Sequence, residues 1–222
     1  IPIDSNLQTI EKYAFQYTSI EKFTIPSNLI ELNEGWCYQT KHLKSITVSP
    51  NNPRYKIYND QMIIGKSSLE SNNYDFLVVY FENNENTIKI PSFIKTIGPF
   101  AFNKCFELQQ IEFPMNSELQ TIEKYAFTNY TIEKITIPST MTQISDNDFY
   151  NCSELRRIKI PVNSKLRRIE NKSFNISSFC EISFHKSLIY ISEAAFNYAS
   201  LNEGCRFSSN SKLEEICLFA FS

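Results

Sequence analysis

Histidine and glycine are scarce in this sequence, and their scarcity excludes several kinds of active site. Only two histidines occur, His42 and His185, and neither lies in a motif. Spacing therefore offers no Ser/His/Asp or Cys/His set for nucleophilic catalysis. The four glycines are scattered, so no glycine-rich loop is available to hold a phosphate. We expect no catalytic residue and no enzyme.

Net charge and long apolar runs are also lacking. The formal charge is −2, which predicts no strong attraction to nucleic acid or to a membrane surface. No apolar run is long enough to insert into a membrane, and no signal peptide is visible. The chain begins at Ile1-Pro2, at the end of a repeat strand, and stops at Ser222 within another repeat. We therefore expect a fragment of a longer protein, whose signal and anchor lie elsewhere.

The six cysteines contain no Cys-x-x-Cys pair, so the sequence predicts no zinc site, and we expect no cofactor. Cys180 and Cys217 fall on variable positions and are candidates for exposure. The acidic cluster at 146–148 lacks the glycine and glutamate of a calcium loop, so we interpret it as a turn. Four other cysteines occupy repeat positions that favour small buried side chains: Cys37, Cys105, Cys152 and Cys205.

An internal repeat organises the chain. Residues 7–15, Leu-Gln-Thr-Ile-Glu-Lys-Tyr-Ala-Phe, recur unchanged at 119–127, an offset of 112. Each copy has an Ile or Leu, here called the anchor, followed after five positions by an aromatic residue; Trp36-Cys37 replace Ala-Phe in the second copy. The anchors are spaced by 22, 65, 25, 22, 25, 22 and 25 residues, so one insertion interrupts two alternating lengths. The anchors are Ile10, Leu32, Ile97, Ile122, Ile144, Ile169, Ile191 and Ile216.

Each unit also contains an apolar-x-x-Ile-x-Ile-Pro run, such as residues 155–161. The alternation predicts a short β-strand with one buried face. The proline ends that strand because it has no N–H to donate to a ladder. A single unit could not bury its apolar side alone, so we predict that stacked Ile and Phe positions form one continuous core.

The repeat length and the apolar-x-x-apolar-x-apolar pattern lie within the leucine-rich-repeat range. Residues 97–114 give the best single copy, and the whole pattern resembles the BspA-like, or Treponema pallidum-type, leucine-rich repeat. The resemblance covers nearly the whole chain, in eight copies counting one partial copy. It implies an α/β-type, β-rich fold: a single right-handed, curved solenoid over residues 1–222, with parallel strands on its concave face.

Residues 51–90 form the insertion. It opens with Asn52-Pro53-Arg54-Tyr55, and two β-like runs, 61–64 and 76–81, flank a polar loop. We predict a β-hairpin or small flap that stands off the solenoid. Such a flap is either a tolerated surface insertion or a ligand-contacting element.

The side chains between the buried strand positions should line the concave face, because strand side chains alternate. A long open face suits a protein or glycan partner better than a small metabolite. Its centre is mildly basic, which indicates either a solvated surface or a site for an acidic partner such as a sulfated or sialylated glycan. Nucleic acid is disfavoured, since no exposed aromatics alternate with these charges. The candidate binding residues are Lys22, Thr24, Thr47, Gln110, Glu112, Lys134, Thr136, Arg157, Lys159, Glu181, Ser183 and Arg206.

Four Asn-x-Ser/Thr sequons are candidates for N-glycosylation. They begin at Asn129, Asn151, Asn171 and Asn175. All lie in the half of the unit that follows the anchor, which we expect to be the outer, exposed side. In an Asn-rich chain such sequons also arise by chance, so glycosylation and chance both remain open.

The family resemblance implies a cell-surface or secreted protein of a mucosal microbe, a group that includes protozoan parasites. Its implied role is adhesion to host cells, matrix proteins or other microbes. The alternative is a cytoplasmic scaffold that binds another protein through the same solenoid. A carbohydrate-active enzyme is disfavoured because no acid/base pair is apparent. The sequence leaves the ligand and the oligomeric state undetermined.

Overall fold

The computed structural model is a β-solenoid of about eight turns, as the repeat predicts. It describes residues 1–81, 85–103, 105, 107–127, 131–178, 181–201 and 204–222. These residues contain no helix, so turns and short strands stand where an α/β-type repeat would carry helices. The strands are β1 (Thr9–Ile10), β2 (Lys22–Ile25), β3 (Glu31–Leu32), β4 (Ser45–Val48), β5 (Tyr55–Tyr58), β6 (Met62–Gly65), β7 (Phe76–Tyr80), β8 (Thr87–Lys89), β9 (Thr96–Ile97), β10 (Gln110–Glu112), β11 (Thr121–Ile122), β12 (Lys134–Thr136), β13 (Gln143–Ile144), β14 (Arg157–Lys159), β15 (Arg168–Ile169), β16 (Glu181–Phe184), β17 (Tyr190–Ile191), β18 (Gly204–Phe207) and β19 (Glu215–Ile216).

Two sets of parallel strands run along the solenoid. The predicted Ile-x-Ile strands form a six-stranded sheet in the order β8-β10-β12-β14-β16-β18, and β2 pairs separately with β4. The anchors form a second set of two-residue strands, β1-β3, β9-β11 and β13-β15-β17-β19, which the sequence did not predict. Each unit therefore contributes two short strands joined by turns.

Parallel pairing without register shifts places like residues on like residues. In the first set Ile111 lies beside Ile135, which lies beside Ile158. In the second set Ile144 pairs with Ile169, which pairs with Ile191. All of these side chains are buried, so each isoleucine column becomes part of the core.

The aromatic residue five positions after the anchor forms a third column. From Phe102 to Phe221, consecutive rings stack with centroids 5.0–5.2 Å apart and planes within 13° of parallel. That separation is close to the ~4.8 Å spacing of neighbouring strands, so the rings follow the strand spacing. A continuous core runs from Met62 to Ala220, but the prediction of one core is wrong for the first two units, whose buried residues form a separate core.

The sequence predicted that the insertion stands off the solenoid, but in the structure it does not. Strands β5, β6 and β7 pair antiparallel, and β7 then pairs with β9, so the segment continues the anchor sheet. Met62 and Ile64 pack into the large core, whereas Ile63 and Val79 pack into a separate core formed by the first two units. Strands whose side chains are apolar on both faces must be buried on both faces. The inserted strands meet this requirement because they lie between the two cores.

The Asn-Pro-x-Tyr sequence joins the insertion to the first two units. The side-chain amide of Asn52 donates to the carbonyls of Pro26 and Leu29 at 2.7 and 2.8 Å. Its oxygen accepts from the N–H groups of Arg54 and Tyr55 at 2.9 and 2.7 Å. The hydroxyl of Tyr55 accepts the N–H of Leu32 at 3.0 Å, which satisfies a donor at the end of the anchor pair β1-β3.

The turns after each anchor contain residues in the left-handed backbone region. The third residue after every anchor has a positive φ, between 53° and 62°. A non-glycine residue in this conformation costs about 1 kcal/mol or more relative to its right-handed form. These residues are Tyr13, Gly35, Phe100, Tyr125, Asn147, Lys172, Ala194 and Phe219.

Asp148 is a buried acid in one of these turns. The corresponding position is alanine in most other units, for example Ala126 and Ala195. One oxygen of Asp148 accepts the N–H of Ser145 at 2.6 Å, and the other has no hydrogen-bond partner among the described residues. Burial raises the pKa of Asp148 well above its ordinary value, because the charged form is desolvated.

Replacing Asn52 with alanine should destabilise the protein by at least about 2 kcal/mol, because buried groups lose hydrogen-bond partners. Chemical denaturation of Asn52→Ala against the parent protein measures this loss. The neighbouring exposed residue provides the control, Asn51→Ala, which should leave the unfolding free energy nearly unchanged. Equal unfolding free energies for both variants would show that the hydrogen bonds of Asn52 do not stabilise the packing of the insertion on the first two units.

The raised pKa of Asp148 predicts a stability that falls as pH rises. The folded state binds the proton more tightly than the unfolded state, so the contribution is fully present below the unfolded pKa, about 4. This contribution to stability is lost as pH rises through the higher pKa of Asp148 in the folded state. Asp148→Asn removes this titration, so its stability relative to the parent should increase between pH 5 and pH 8 in urea denaturation. An unchanged difference between Asp148→Asn and the parent across this pH range would contradict the assignment.

Candidate functional site

The strand-face row consists of the side chains that alternate with the buried residues of the Ile-x-Ile strands. On β12 and β14 the buried Ile135 and Ile158 are each flanked by exposed residues. On β2, β4 and β10 the buried residue is likewise flanked by exposed or half-buried residues. Glu181 lies on β16, but its side chain is outside the described part of the structure. The exposed members are Lys22, Thr47, Lys134, Thr136, Arg157, Lys159, Ser183 and Arg206, and the half-buried members are Thr24, Gln110 and Glu112.

The fold divides this row into two parts. Lys22, Thr24 and Thr47 lie on the separate β2-β4 pair, where the hydroxyl of Thr47 donates to that of Thr24 at 3.0 Å. The remaining candidates lie on the six-stranded sheet. The insertion separates the two sheets, so the row is not the single long face that the sequence predicted.

One strand of the larger sheet was missed. Strand β8 pairs with β10 and adds Lys89 to the row. The signal was present, because residues 88–91 read Ile-Lys-Ile-Pro and match the repeat motif within the predicted insertion. The inserted segment therefore ends before β8. Six strands at a spacing of ~4.8 Å give a face about 24 Å long.

An open groove of about 940 Å³ crosses the centre of this sheet. Its floor includes buried Ile111, Ile135 and Ile158. Its surface is lined by row residues of three neighbouring strands and by Ser183 of a fourth strand. The row residues that line the groove are Gln110, Glu112, Lys134, Thr136, Arg157, Lys159 and Ser183.

The charges in the groove are unevenly distributed. The carboxylate of Glu112 lies 3.9 Å from Lys89 and accepts from Gln110 at 3.0 Å. By contrast, Lys134, Arg157 and Lys159 form no ion pair with any described residue. They are exposed and lie on adjacent strands, with Lys134 beside Arg157 in the pairing register. Strands β12 and β14 therefore present three exposed cations that have no ionic partner among the described residues.

The four sequons differ in exposure, contrary to the uniform exposure expected from the sequence. Asn175 is buried, and its amide nitrogen donates to Asn197 at 3.2 Å. Asn171 is half-buried and donates to the carbonyl of Glu193 at 3.0 Å. Asn151 is half-buried, and Asn129 lies outside the described residues. A glycan on Asn175 would require the turn to open, because its amide nitrogen faces the next unit.

Cysteine and metal chemistry add no further site among the described residues. Cys37, Cys105 and Cys152 are buried as predicted, whereas Cys205 is only half-buried. Cys217 is a half-buried free thiol, and Cys180 lies outside the described residues. No cluster of three or more His, Cys, Asp or Glu residues that could hold a metal ion occurs in the described ranges. Those ranges also hold no helix long and apolar enough to span a bilayer.

Comparison with known proteins identifies the repeat. The family model of the BspA type leucine rich repeat region matches residues 1–84 and 77–202, with 6 copies. A search of curated proteins found no match.

Solved structures share the fold at low identity. A leucine rich cell surface protein from Faecalibacterium prausnitzii A2-165 is 22% identical with a TM-score of 0.75, over 96% of this chain and 55% of that chain. A leucine-rich repeat protein from Eubacterium ventriosum ATCC 27560 is 20% identical with a TM-score of 0.58, over 87% of this chain and 62% of that chain. This chain therefore spans less than two thirds of either structure.

Proposed function

The chain belongs to the BspA-type leucine-rich repeat family, and we propose that it is a non-catalytic module that binds an acidic protein or glycan. The observation that carries this proposal is the cation cluster Lys134, Arg157 and Lys159, which lines an open groove without ionic partners among the described residues. A repeat-based binding module is also the role that its family supports.

The chemistry of the groove favours a carboxylated or sulfated ligand. Arg157 offers a planar guanidinium that can bind two oxygens of one acidic group, and the lysines supply point charges beside it. Strand pairing fixes these cations at neighbouring positions, so successive acidic groups of an extended ligand can be held together. The groove is open along the sheet, which suits a chain passing across it better than an enclosed metabolite.

Adhesion at the cell surface, or after secretion, is the biological role we propose, with host cells or matrix as the contacted surface. One protein whose solved structure has a similar fold is named as a cell surface protein. The alternative is a cytoplasmic scaffold that binds another protein. Cys205 and Cys217 are half-buried thiols, which a reducing compartment would keep reduced.

Reversal of charge in the groove should weaken binding to an acidic probe. Arg157→Glu combined with Lys159→Glu should lower affinity for a heparin oligosaccharide at least about tenfold, because attraction becomes repulsion. Binding of the parent should also weaken with added salt, since exposed charges are screened. Isothermal titration calorimetry measures both effects.

The matched control reverses two exposed cations outside the groove, Lys165→Glu with Arg167→Glu. It changes the net charge equally and should retain most of the affinity. Melting temperatures of both double variants should match that of the parent, because all four positions are exposed. Equal weakening in both variants would indicate a net-charge effect and would contradict a specific site in the groove.

The cellular location can be tested on the native full-length protein. An antibody against this region should label intact cells if the protein is exposed at the surface. The same antibody on permeabilised cells controls for access to internal protein. Labelling only after permeabilisation would contradict surface adhesion and support the cytoplasmic scaffold.

A further inference from the structure

A second concave surface lies in the turns that follow the anchor strands. We call it the aromatic hollow, and it encloses about 340 Å³. Five aromatic rings and two side-chain amides line it, and none of these residues is charged. They are Tyr13, Tyr38, Phe100, Tyr125, Tyr150, Gln16 and Asn151.

The rings are in direct contact with one another. Phe100 and Tyr125 stack with centroids 5.3 Å apart and planes at 22°, and Tyr38 lies 4.6 Å from Phe100. Tyr13 and Tyr150 stand nearly perpendicular at opposite ends, at 74° to Phe100 and 89° to Tyr125. The hollow is therefore a trough of stacked rings with an upright tyrosine at each end.

The inserted segment brings the two halves of the hollow together. Tyr13 and Tyr38 belong to the first two units, whereas the other three rings belong to units after the insertion. Strands β5 to β7 extend the anchor sheet from β9, and Tyr13 of the first unit lies 6.0 Å from Phe100. A link between Lys124 and Glu34, 3.4 Å apart, joins the same two parts of the chain.

The backbone at three of the rings is strained. Tyr13, Phe100 and Tyr125 have φ values of 57°, 56° and 62°, in the left-handed region that bulky residues seldom adopt. Gly35 and Asn147 occupy the same turn position in two other units and adopt it more easily. This conformation recurs at the same position of every unit, so the repeated turn path fixes where these rings are presented.

The charges at the rim are already paired. Glu34 lies 3.2 Å from Lys12 and 3.4 Å from Lys124, and it accepts from the hydroxyl of Tyr13 at 3.3 Å. A cationic ligand would have to compete with two lysines for this carboxylate. An anionic ligand would find no cation in the lining, so the hollow is suited to a neutral ligand.

We propose that the aromatic hollow binds a neutral carbohydrate, as a monosaccharide or disaccharide unit. The C–H faces of a sugar are apolar and carry slight positive charge, so they pack against the electron-rich faces of aromatic rings. Its hydroxyls exchange hydrogen bonds with tyrosine hydroxyls and with the amides of Gln16 and Asn151. The volume lies near the lower end of the roughly 300–1,000 Å³ range of ligand pockets, which matches a ligand of this size.

This site is independent of the groove on the Ile-x-Ile sheet. The two share no lining residue. The groove offers cations to an acidic ligand, whereas the hollow offers uncharged rings and amides. Either site can therefore fail its test without affecting the other.

The test uses four neutral disaccharides: cellobiose, maltose, lactose and N,N′-diacetylchitobiose. Saturation-transfer difference NMR should show transfer to the C–H protons of at least one of them. Titration calorimetry should then show affinity about tenfold weaker in Tyr125→Ala and in Tyr150→Ala. Alanine is compatible with the left-handed turn position of Tyr125, since Ala194 adopts the same conformation.

Tyr198→Ala is the matched control, because Tyr198 is an exposed tyrosine in a later turn and does not line the hollow. It should bind the disaccharide as the parent does, with all variants equally stable. Three results would overturn the proposal: no transfer to any of the four sugars, equal affinity in the two hollow variants and the parent, or equal loss in Tyr198→Ala. Loss only in the Arg157→Glu, Lys159→Glu variant would place the sugar in the groove and would also overturn it.

Discussion

Hydrogen bonding from one unit to the next is the constraint on which the structure depends. A unit of this length has too few residues to pair its backbone internally, so its N–H and C=O groups must find partners in the neighbouring units. This pairing extends beyond the strands into the turns. The N–H of Phe149 bonds to the carbonyl of Ser173 at 2.9 Å, and that of Phe174 bonds to Ala195 at 2.8 Å. Each turn must therefore repeat the backbone path of the turn before it.

The repeated path explains both the core and the strained turns. Parallel pairing stacks each isoleucine and each phenylalanine on its equivalent in the next unit. The backbone pairing is therefore sufficient to position the buried columns. The same requirement forces a left-handed residue at the third position after every anchor, whatever side chain is there. Lys172 and Ala194 accept this conformation because the turns on either side fix it.

The two candidate binding surfaces follow from different parts of one unit. The Ile-x-Ile strands present alternating polar residues, and three of these are cations on neighbouring strands. The turns after the anchors present aromatic side chains, which a regular alternation does not place. The first surface is suited to charge and the second to uncharged C–H and hydroxyl groups. A solenoid carrying both could hold different parts of one complex glycan, or an acidic protein and a sugar.

The repeat itself was readable from the sequence, because its apolar positions recur at fixed intervals and alternation has one structural meaning. That pattern alone determined the solenoid, the Ile-x-Ile strands, the phenylalanine column and the exposed positions such as Arg157 and Lys159. The two-residue anchor strands were missed because Thr-Ile is too short to show a period. The sequence also did not show that Asn175 is buried, since a turn residue's exposure depends on the next unit.

Only the tertiary structure decided where the insertion lies. Its apolar runs predicted strands, but burial on both faces required two cores to be present on either side. That placement broke the row of strands into two sheets, and it brought Tyr13 and Tyr38 to Phe100. Tyr13 and Phe100 occupy the same repeat position, but the insertion separates their units in the chain, so the repeat alone did not show that these two turns meet. The sequence determined what repeats along the chain, and the packing of the insertion determined which surfaces meet.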